Sequence, residues 1–231
     1  MNIAIIPARG GSKRVKNKNI KLFHGKPIIA WPINEAIKSK IFDKIIVSTD
    51  SKKIARIAKK YGAVIPFLRK RLLSNNTANI NDVIFDVLEF YKNRKEKINF
   101  VCLIYATAPF LKKEDLKKGL KLLKKDKKLD YVLSISKLKT SYYRSLKIKG
   151  KKIFPAFRKH IYTRTQKIKD FYYDNAQFTF GRKLSWLKKK HSYISKTSFV
   201  YVPSYRIQDI DTIEDWKRAE NLFKIFYKNK T

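Results

Sequence analysis

The chain has 231 residues, with 55 Lys and Arg against 18 Asp and Glu, a formal net charge of +37, and 44% hydrophobic residues. That length suits one α/β domain, and the apolar fraction supports a core, which excludes a wholly disordered chain. A single Cys excludes a disulfide framework or a multi-cysteine zinc site, and no apolar run reaches the ~18 residues of a membrane-spanning helix.

The elements follow in chain order. Residues 3–6 are a β-branched run stopped by Pro7, which reads as a buried opening strand. This apolar start is too short for the ~7–15-residue core of a signal peptide, so the expected setting is soluble, reducing and cytoplasmic. A basic Gly loop follows over residues 8–19. Pro27 is expected near the start of a helix running to about Lys40. Residues 44–48 are a second strand, ended by Asp50. Ile54, Ile57 and Ala58 mark a helix that Gly62 stops, and residues 63–68 are expected to form another short strand. Ile80, Val83, Ile84, Val87, Leu88 and Tyr91 repeat at helical spacing. A strand at 100–105, a Lys-rich helix near 113–126 and a strand at 131–135 come next.

Strands alternating with helices predict a mostly parallel sheet flanked by helices. The alternation breaks over about 137–181, which reads as a β-rich insertion in a single domain spanning 1–231. The main domain resumes with a strand at 198–203 and a last helix from Thr212. There Thr212 and Asp215 have capping-box spacing, and Trp216, Ala219, Phe223 and Phe226 form an apolar face.

The net charge raises the possibility of a polyanionic partner such as nucleic acid. The composition argues against it. There are 43 Lys and only 12 Arg, spread along the whole chain, whereas Arg is the usual choice for planar phosphate and base contacts. The densest run, 112–128, carries Leu116, Leu120 and Leu123 at helical spacing, so its lysines form a solvated face.

Two segments carry chemistry. The first is Pro7-Ala8-Arg9-Gly10-Gly11-Ser12-Lys13-Arg14, continuing to Lys18-Asn19, directly after the first strand. That is the carboxyl edge where open α/β sheets bind ligands. Paired glycines let backbone N–H groups approach phosphate oxygens, and Arg9, Lys13, Arg14 and Lys18 add charge. The spacing is neither a P-loop nor a dinucleotide fingerprint. The bland alternative is a basic surface turn. The second segment is Asp209-Ile210-Asp211, two carboxylates spaced so that in extended chain they point the same way. Such hard oxygen donors suit Mg²⁺, and the alternative is capping of the helix that follows. His24, His160 and His191 are isolated, and Cys102 sits mid-strand as inert core.

Arg9-Gly10-Gly11-Ser12-Lys13 with Lys18-Asn19, Ser48-Thr49-Asp50, Arg69, Ala106-Thr107-Ala108-Pro109 and Asp209-Ile210-Asp211 together resemble the CMP-sialic acid synthetase family of cytidylyltransferases. Tyr105 to Phe110 and Asp174-Asn175-Ala176-Gln177-Phe178 resemble its pseudaminic acid branch, because sialic acid members usually carry Gln where Tyr105 stands. The resemblance implies a Rossmann-like nucleotide-diphospho-sugar transferase fold. It implies transfer of CMP from CTP to the anomeric 2-hydroxyl of a nonulosonic acid, with release of pyrophosphate. Pseudaminic acid is the expected sugar, with the legionaminic and N-acetylneuraminic acid enzymes as alternatives. Ala8, Arg9, Gly10, Gly11, Ser12, Lys13, Lys18, Asn19 and Arg69 would bind the nucleotide, and Asp209 and Asp211 would hold Mg²⁺. Arg9, Lys18 and Asp211 would be catalytic. Tyr105, Arg164, Gln166, Asp174 and Gln177 would face the sugar, and the insertion would form a homodimer. Arg14 and Lys16 depart from the Gly and Pro frequent in sialate members. The rival from another class is a basic nucleic-acid-binding protein.

Overall fold

The computed structural model describes residues 1–75, 78–138, 142–188 and 191–228. In chain order the elements are β1 (Asn2–Pro7), β2 (Leu22–Phe23), β3 (Lys26–Pro27), α1 (Ala30–Ser39), β4 (Lys44–Ser48) and α2 (Lys52–Lys60). Then come α3 (Ile80–Asn93), β5 (Phe100–Ile104), α4 (Lys113–Lys125), β6 (Tyr131–Lys137), β7 (Leu146–Lys149) and β8 (Lys152–Pro155). The chain closes with β9 (Tyr172–Arg182), α5 (Lys183–Leu187), β10 (Thr197–Tyr201) and α6 (Ile213–Lys228).

A six-stranded sheet in the order β10-β6-β9-β5-β1-β4 forms the centre. β1 is parallel to β4 and β5, and β10 to β6, while β9 runs antiparallel to both its neighbours. Alternation along β1 divides its side chains between two apolar layers. Ala4 and Ile6 pack with Ile33 of α1, Ile54 of α2 and Leu116, Leu120 and Leu123 of α4. Ile3 and Ile5 pack with Ile84, Val87, Leu88 and Tyr91 of α3 and Trp186 of α5. A strand buried on both faces needs an unbroken apolar run, which is what residues 3–6 supply. A third cluster joins Trp216, Ala219 and Phe223 of α6 to Val15, Phe23, Ile28 and Phe110, which fixes the last helix beside the first loop.

Three expectations need correction. Pro27 does not open α1. His24 and Gly25 both have positive φ (46° and 81°), the signature of a two-residue hairpin turn, so Pro27 pairs with Leu22 and α1 begins at Ala30. The strand expected at 63–68 is reduced to one bridge between Val64 and Ile46. Pro66 has no N–H with which to extend it. The insertion ends earlier than Gly181, because β9 lies in the central sheet between β5 and β6. Its apolar inner positions, Phe178 and Phe180, pack under α4, which the local Tyr- and Phe-rich composition does not distinguish from a surface β-arm. The part outside the sheet holds the β7–β8 hairpin and short 3₁₀ turns, and residues 139–141 lie outside the described residues.

Candidate active site

The loop after β1 begins in register with its neighbour: Ala8 N–H donates to the Ser48 carbonyl at 2.9 Å. It ends in a tight turn. Asn17 adopts a left-handed conformation (φ 55°), which a short polar side chain tolerates, and Lys18–Ile20 form a 3₁₀ turn behind it. This turn aims Lys18 inward. Its Nζ donates to the Ile210 carbonyl at 2.6 Å and lies 3.3 Å from Asp211 Oδ1. Arg14 Nη2 lies 2.8 Å from the same carboxylate oxygen. Two segments about 190 residues apart in the chain are thereby joined. The cleft between them has a volume of about 200 Å³ and is lined by Arg9, Ser12, Lys13, Arg14, Lys18, Asn19, Tyr105, Thr107 and Asp211, among others.

The individual loop residues do different work. Gly10 N–H donates to Asp50 Oδ1 at 2.8 Å, so this amide is not the open phosphate donor that paired glycines suggest. Gly10 approaches the next loop closely: a Cβ there would sit 3.2 Å from Ser51 Cβ, which would have to shift by a few tenths of an ångström. Gly11 is open, with nothing within 4 Å of a Cβ. Asn19 is buried, and its side-chain amide donates to the Arg9 carbonyl at 2.9 Å, tying the two ends of the loop together. Arg9 donates to the Asn75 carbonyl at 2.9 Å and lines the cleft. Arg69, expected at the nucleotide, is held by the protein's own backbone and Ser48. It is 7% exposed, and its guanidinium is turned to the Ser48 hydroxyl and carbonyl and the Leu73 carbonyl. It braces the carboxyl end of β4 behind the loop, and burial lowers its pKa.

Helix capping does not account for the two downstream acids. Thr212 and Asp215 form the reciprocal box: Asp215 N–H donates to Thr212 Oγ1 at 3.1 Å, and Thr212 N–H donates to Asp215 Oδ2 at 2.8 Å. Asp211 N–H also donates to Asp215 Oδ2, so Asp215 is the capping carboxylate. Asp209 and Asp211 are left for other work. Asp209 is held above the ordinary carboxylate range, first by desolvation, then by the like charge of Asp211, with Lys18 opposing. Among the described residues no three His, Cys, Asp or Glu converge, so any cation here would rest on Asp209 and Asp211 rather than on a larger cluster. That donor set fits Mg²⁺, which usually takes one or two carboxylates and fills its octahedron with water and phosphate oxygens.

Tyr105, at the end of β5, lines the cleft beside the loop and donates its N–H to the Gln177 carbonyl at 3.1 Å. Burial pushes its hydroxyl pKa far up, and the charges of Asp174, Tyr193 and Asp209 add to the shift. Asp174 is also raised, chiefly by burial. Its Oδ2 accepts from the Tyr193 hydroxyl at 3.2 Å. Gln177, expected at the sugar, is 3% exposed and turned inward, donating to the Arg206 carbonyl at 2.8 Å. Arg164 and Gln166 are exposed, at the Thr165–Lys167 turn of the insertion, and neither lines the cleft of its own chain. Tyr193 and the pairing role of Arg14 were not singled out beforehand. Arg14 had a signal in its place on the loop, whereas nothing local marks Tyr193.

A mainly parallel sheet with a basic, glycine-bearing loop at the carboxyl edge of its first strand, facing Asp211, is the arrangement of a nucleotide-handling α/β protein. Comparison with known proteins agrees. The cytidylyltransferase family model matches residues 3–231, and the chain belongs to that family. A pseudaminic acid cytidylyltransferase of Campylobacter jejuni is 34% identical over 230 residues, covering 99% of this chain and 98% of that protein. A CMP-N,N'-diacetyllegionaminic acid synthase of Legionella pneumophila is 33% identical, covering 96% of each. A solved structure of CMP:2-keto-3-deoxy-manno-octonic acid synthetase complexed with CTP superimposes with a TM-score of 0.73. It covers 96% of this chain and 98% of that one at 14% identity, a likeness of fold. No described helix is long and apolar enough to cross a membrane.

Proposed function

We propose that the chain transfers CMP from CTP to the anomeric 2-hydroxyl of a nonulosonic acid, pseudaminic acid, releasing pyrophosphate. The observation that supports this reading is the meeting of Lys18 with Ile210 and Asp211, which sets the cationic loop against Asp211 at one cleft, with Asp209 two residues away. Nucleotidyl transfer asks chiefly for positioning and charge neutralisation. Arg9, Lys13 and Lys18 neutralise the triphosphate, and the open Gly11 turn leaves room for it. Asp209 and Asp211 would hold Mg²⁺, which supplies charge stabilisation at the phosphate oxygens. Asp211 also holds the Lys18 ammonium and Arg14 at the cleft mouth. The sugar hydroxyl attacks the α-phosphorus from the side of Tyr105 and Asp174, where tyrosine hydroxyls and a carboxylate can select among hydroxyl and amide substituents.

The reading includes a homodimer in the cytoplasm. Ile148, 77% exposed, and Tyr162, 96% exposed, are insertion side chains that a second subunit would cover, bringing Arg164 and Gln166 to the partner's cleft. The test is purified protein with CTP, Mg²⁺ and separate pseudaminic, legionaminic and N-acetylneuraminic acids, reading pyrophosphate. Fastest release with pseudaminic acid is expected. Preference for another sugar would reassign the acceptor. Absence of release with all three, beside steeply salt-dependent nucleic-acid binding, would favour the rival reading.

A further inference from the structure

A second cavity, of about 590 Å³, opens between α1, the start of α4, the Ser204–Arg206 turn and the end of α6. It shares no lining residue with the cleft. Four aromatic rings stand in its wall, Trp31, Tyr205, Phe226 and Tyr227, and its six cationic side chains face three carboxylates.

All three carboxylates are already engaged within the protein, Glu114 with Lys113 Nζ at 3.8 Å. Asp115 pairs with Arg206 at 2.7 Å, and both are largely buried. Glu35 accepts the Lys113 N–H at 3.0 Å and the Lys38 ammonium at 3.2 Å. Lys26 and Lys112 meet ring faces. Lys26 Nζ lies 3.6 Å from the Trp31 ring centroid. Lys112 Nζ lies 4.8 and 4.6 Å from those of Phe226 and Tyr227, and donates to the Tyr227 hydroxyl at 3.1 Å. A ring face compensates a charge less than a carboxylate does. Partial burial lowers the pKa of both ammonium groups, with Glu35 opposing the shift in each. Cations in this condition, around a space open to solvent and walled with rings, favour an anion that brings its own flat face.

We propose that this cavity is a second ligand site, taking a phosphate borne beside a planar ring, as in a nucleotide. The phosphate meets Lys26 and Lys112 with Lys118 at the rim, drawing Lys26 off the Trp31 face, and the ring lies against Tyr205, which is 59% exposed, since Phe223 and Lys112 already cover Tyr227. The site stands apart from the proposed transfer, yet one residue links the two. The Arg206 side chain lines this cavity, its carbonyl is held by Gln177, and Asp209 follows three residues later.

Tryptophan fluorescence of the full chain, titrated with adenosine 5′-monophosphate, tests the assignment. A saturable change is expected, lost in Trp31→Phe. Lys112→Glu should weaken it roughly tenfold, as the loss of a charge-assisted contact would. Lys118→Glu, at an exposed rim position, should weaken it in the same direction without disturbing the packing of Lys112. Lys18→Ala, in the other cleft, should leave it unchanged. Inorganic phosphate, which lacks the ring, should bind roughly tenfold more weakly than the nucleotide. The proposal is overturned by the absence of a saturable change, or by one that Lys18→Ala removes and both glutamate variants preserve. Equal binding of phosphate and nucleotide would overturn the ligand class.

Discussion

The cleft and the insertion treat their side chains in opposite ways. Around the cleft, charged and backbone groups are matched within the chain: Arg14 and Lys18 to Asp211, and Gly10 N–H to Asp50. In the insertion the β7–β8 hairpin leaves Ile148 and Ile153 exposed, and Tyr162 stands almost fully in solvent. Tyr143, Phe157 and Phe171 pack on one another, a small cluster apart from the main layers. One folded chain therefore sets the shape of the cleft unaided. The arm presents a surface that folded proteins normally cover. Substitutions should separate these two behaviours.

The largest effect is expected at Lys18. Lys18→Ala removes the contact that joins the loop to Ile210 and Asp211. Pyrophosphate release should fall about 10²–10³-fold, by analogy with removing one transition-state donor, while circular dichroism shows the fold intact. Asp115→Ala comes next. It leaves the largely buried Arg206 guanidinium without its partner and should cost about 3–5 kcal/mol in urea unfolding. Gln177→Leu should cost no more than about 1 kcal/mol by the same measurement, since the Arg206 carbonyl loses its donor but the buried, unpaired Gln177 Oε1 is removed with it. An effect on acceptor KM without one on stability would instead place Gln177 at the sugar. The smallest change in stability is expected on the arm. Ile148→Ser with Tyr162→Ser should alter monomer stability by no more than about 0.5 kcal/mol each. In sedimentation velocity the same pair should lower the dimer fraction. A loss of several kcal/mol from these exposed positions would erase the contrast.

Much of the fold could be read from local pattern. Residues 3–6 mark a strand because both their faces are buried, and Ser51, Gly62, Thr212 and Asp215 punctuate helices through bonds and dihedrals confined to a few residues. The antiparallel β9 was misplaced because its burial comes from β5, β6 and α4, all distant in sequence. The same distinction runs through the site. The chemistry of the Arg9 loop and of the acid pair is local, and so is the case for a cation-handling cleft. The inward turn of Arg69 and Gln177 depends on backbone carbonyls supplied by Ser48, Leu73 and Arg206, and no spacing rule exposes such partners. Tyr193 reaches Asp174 from a separate turn, a pairing that only the tertiary fold creates.

The central claim is that the loop cations and the downstream acids act on one nucleotide together with a shared divalent ion. The most direct measurement is equilibrium binding of CTP, with and without Mg²⁺, to the native chain and to Asp211→Asn. Mg²⁺ should tighten CTP binding by the native protein and have little effect on the variant. Equal tightening in both proteins would contradict the account.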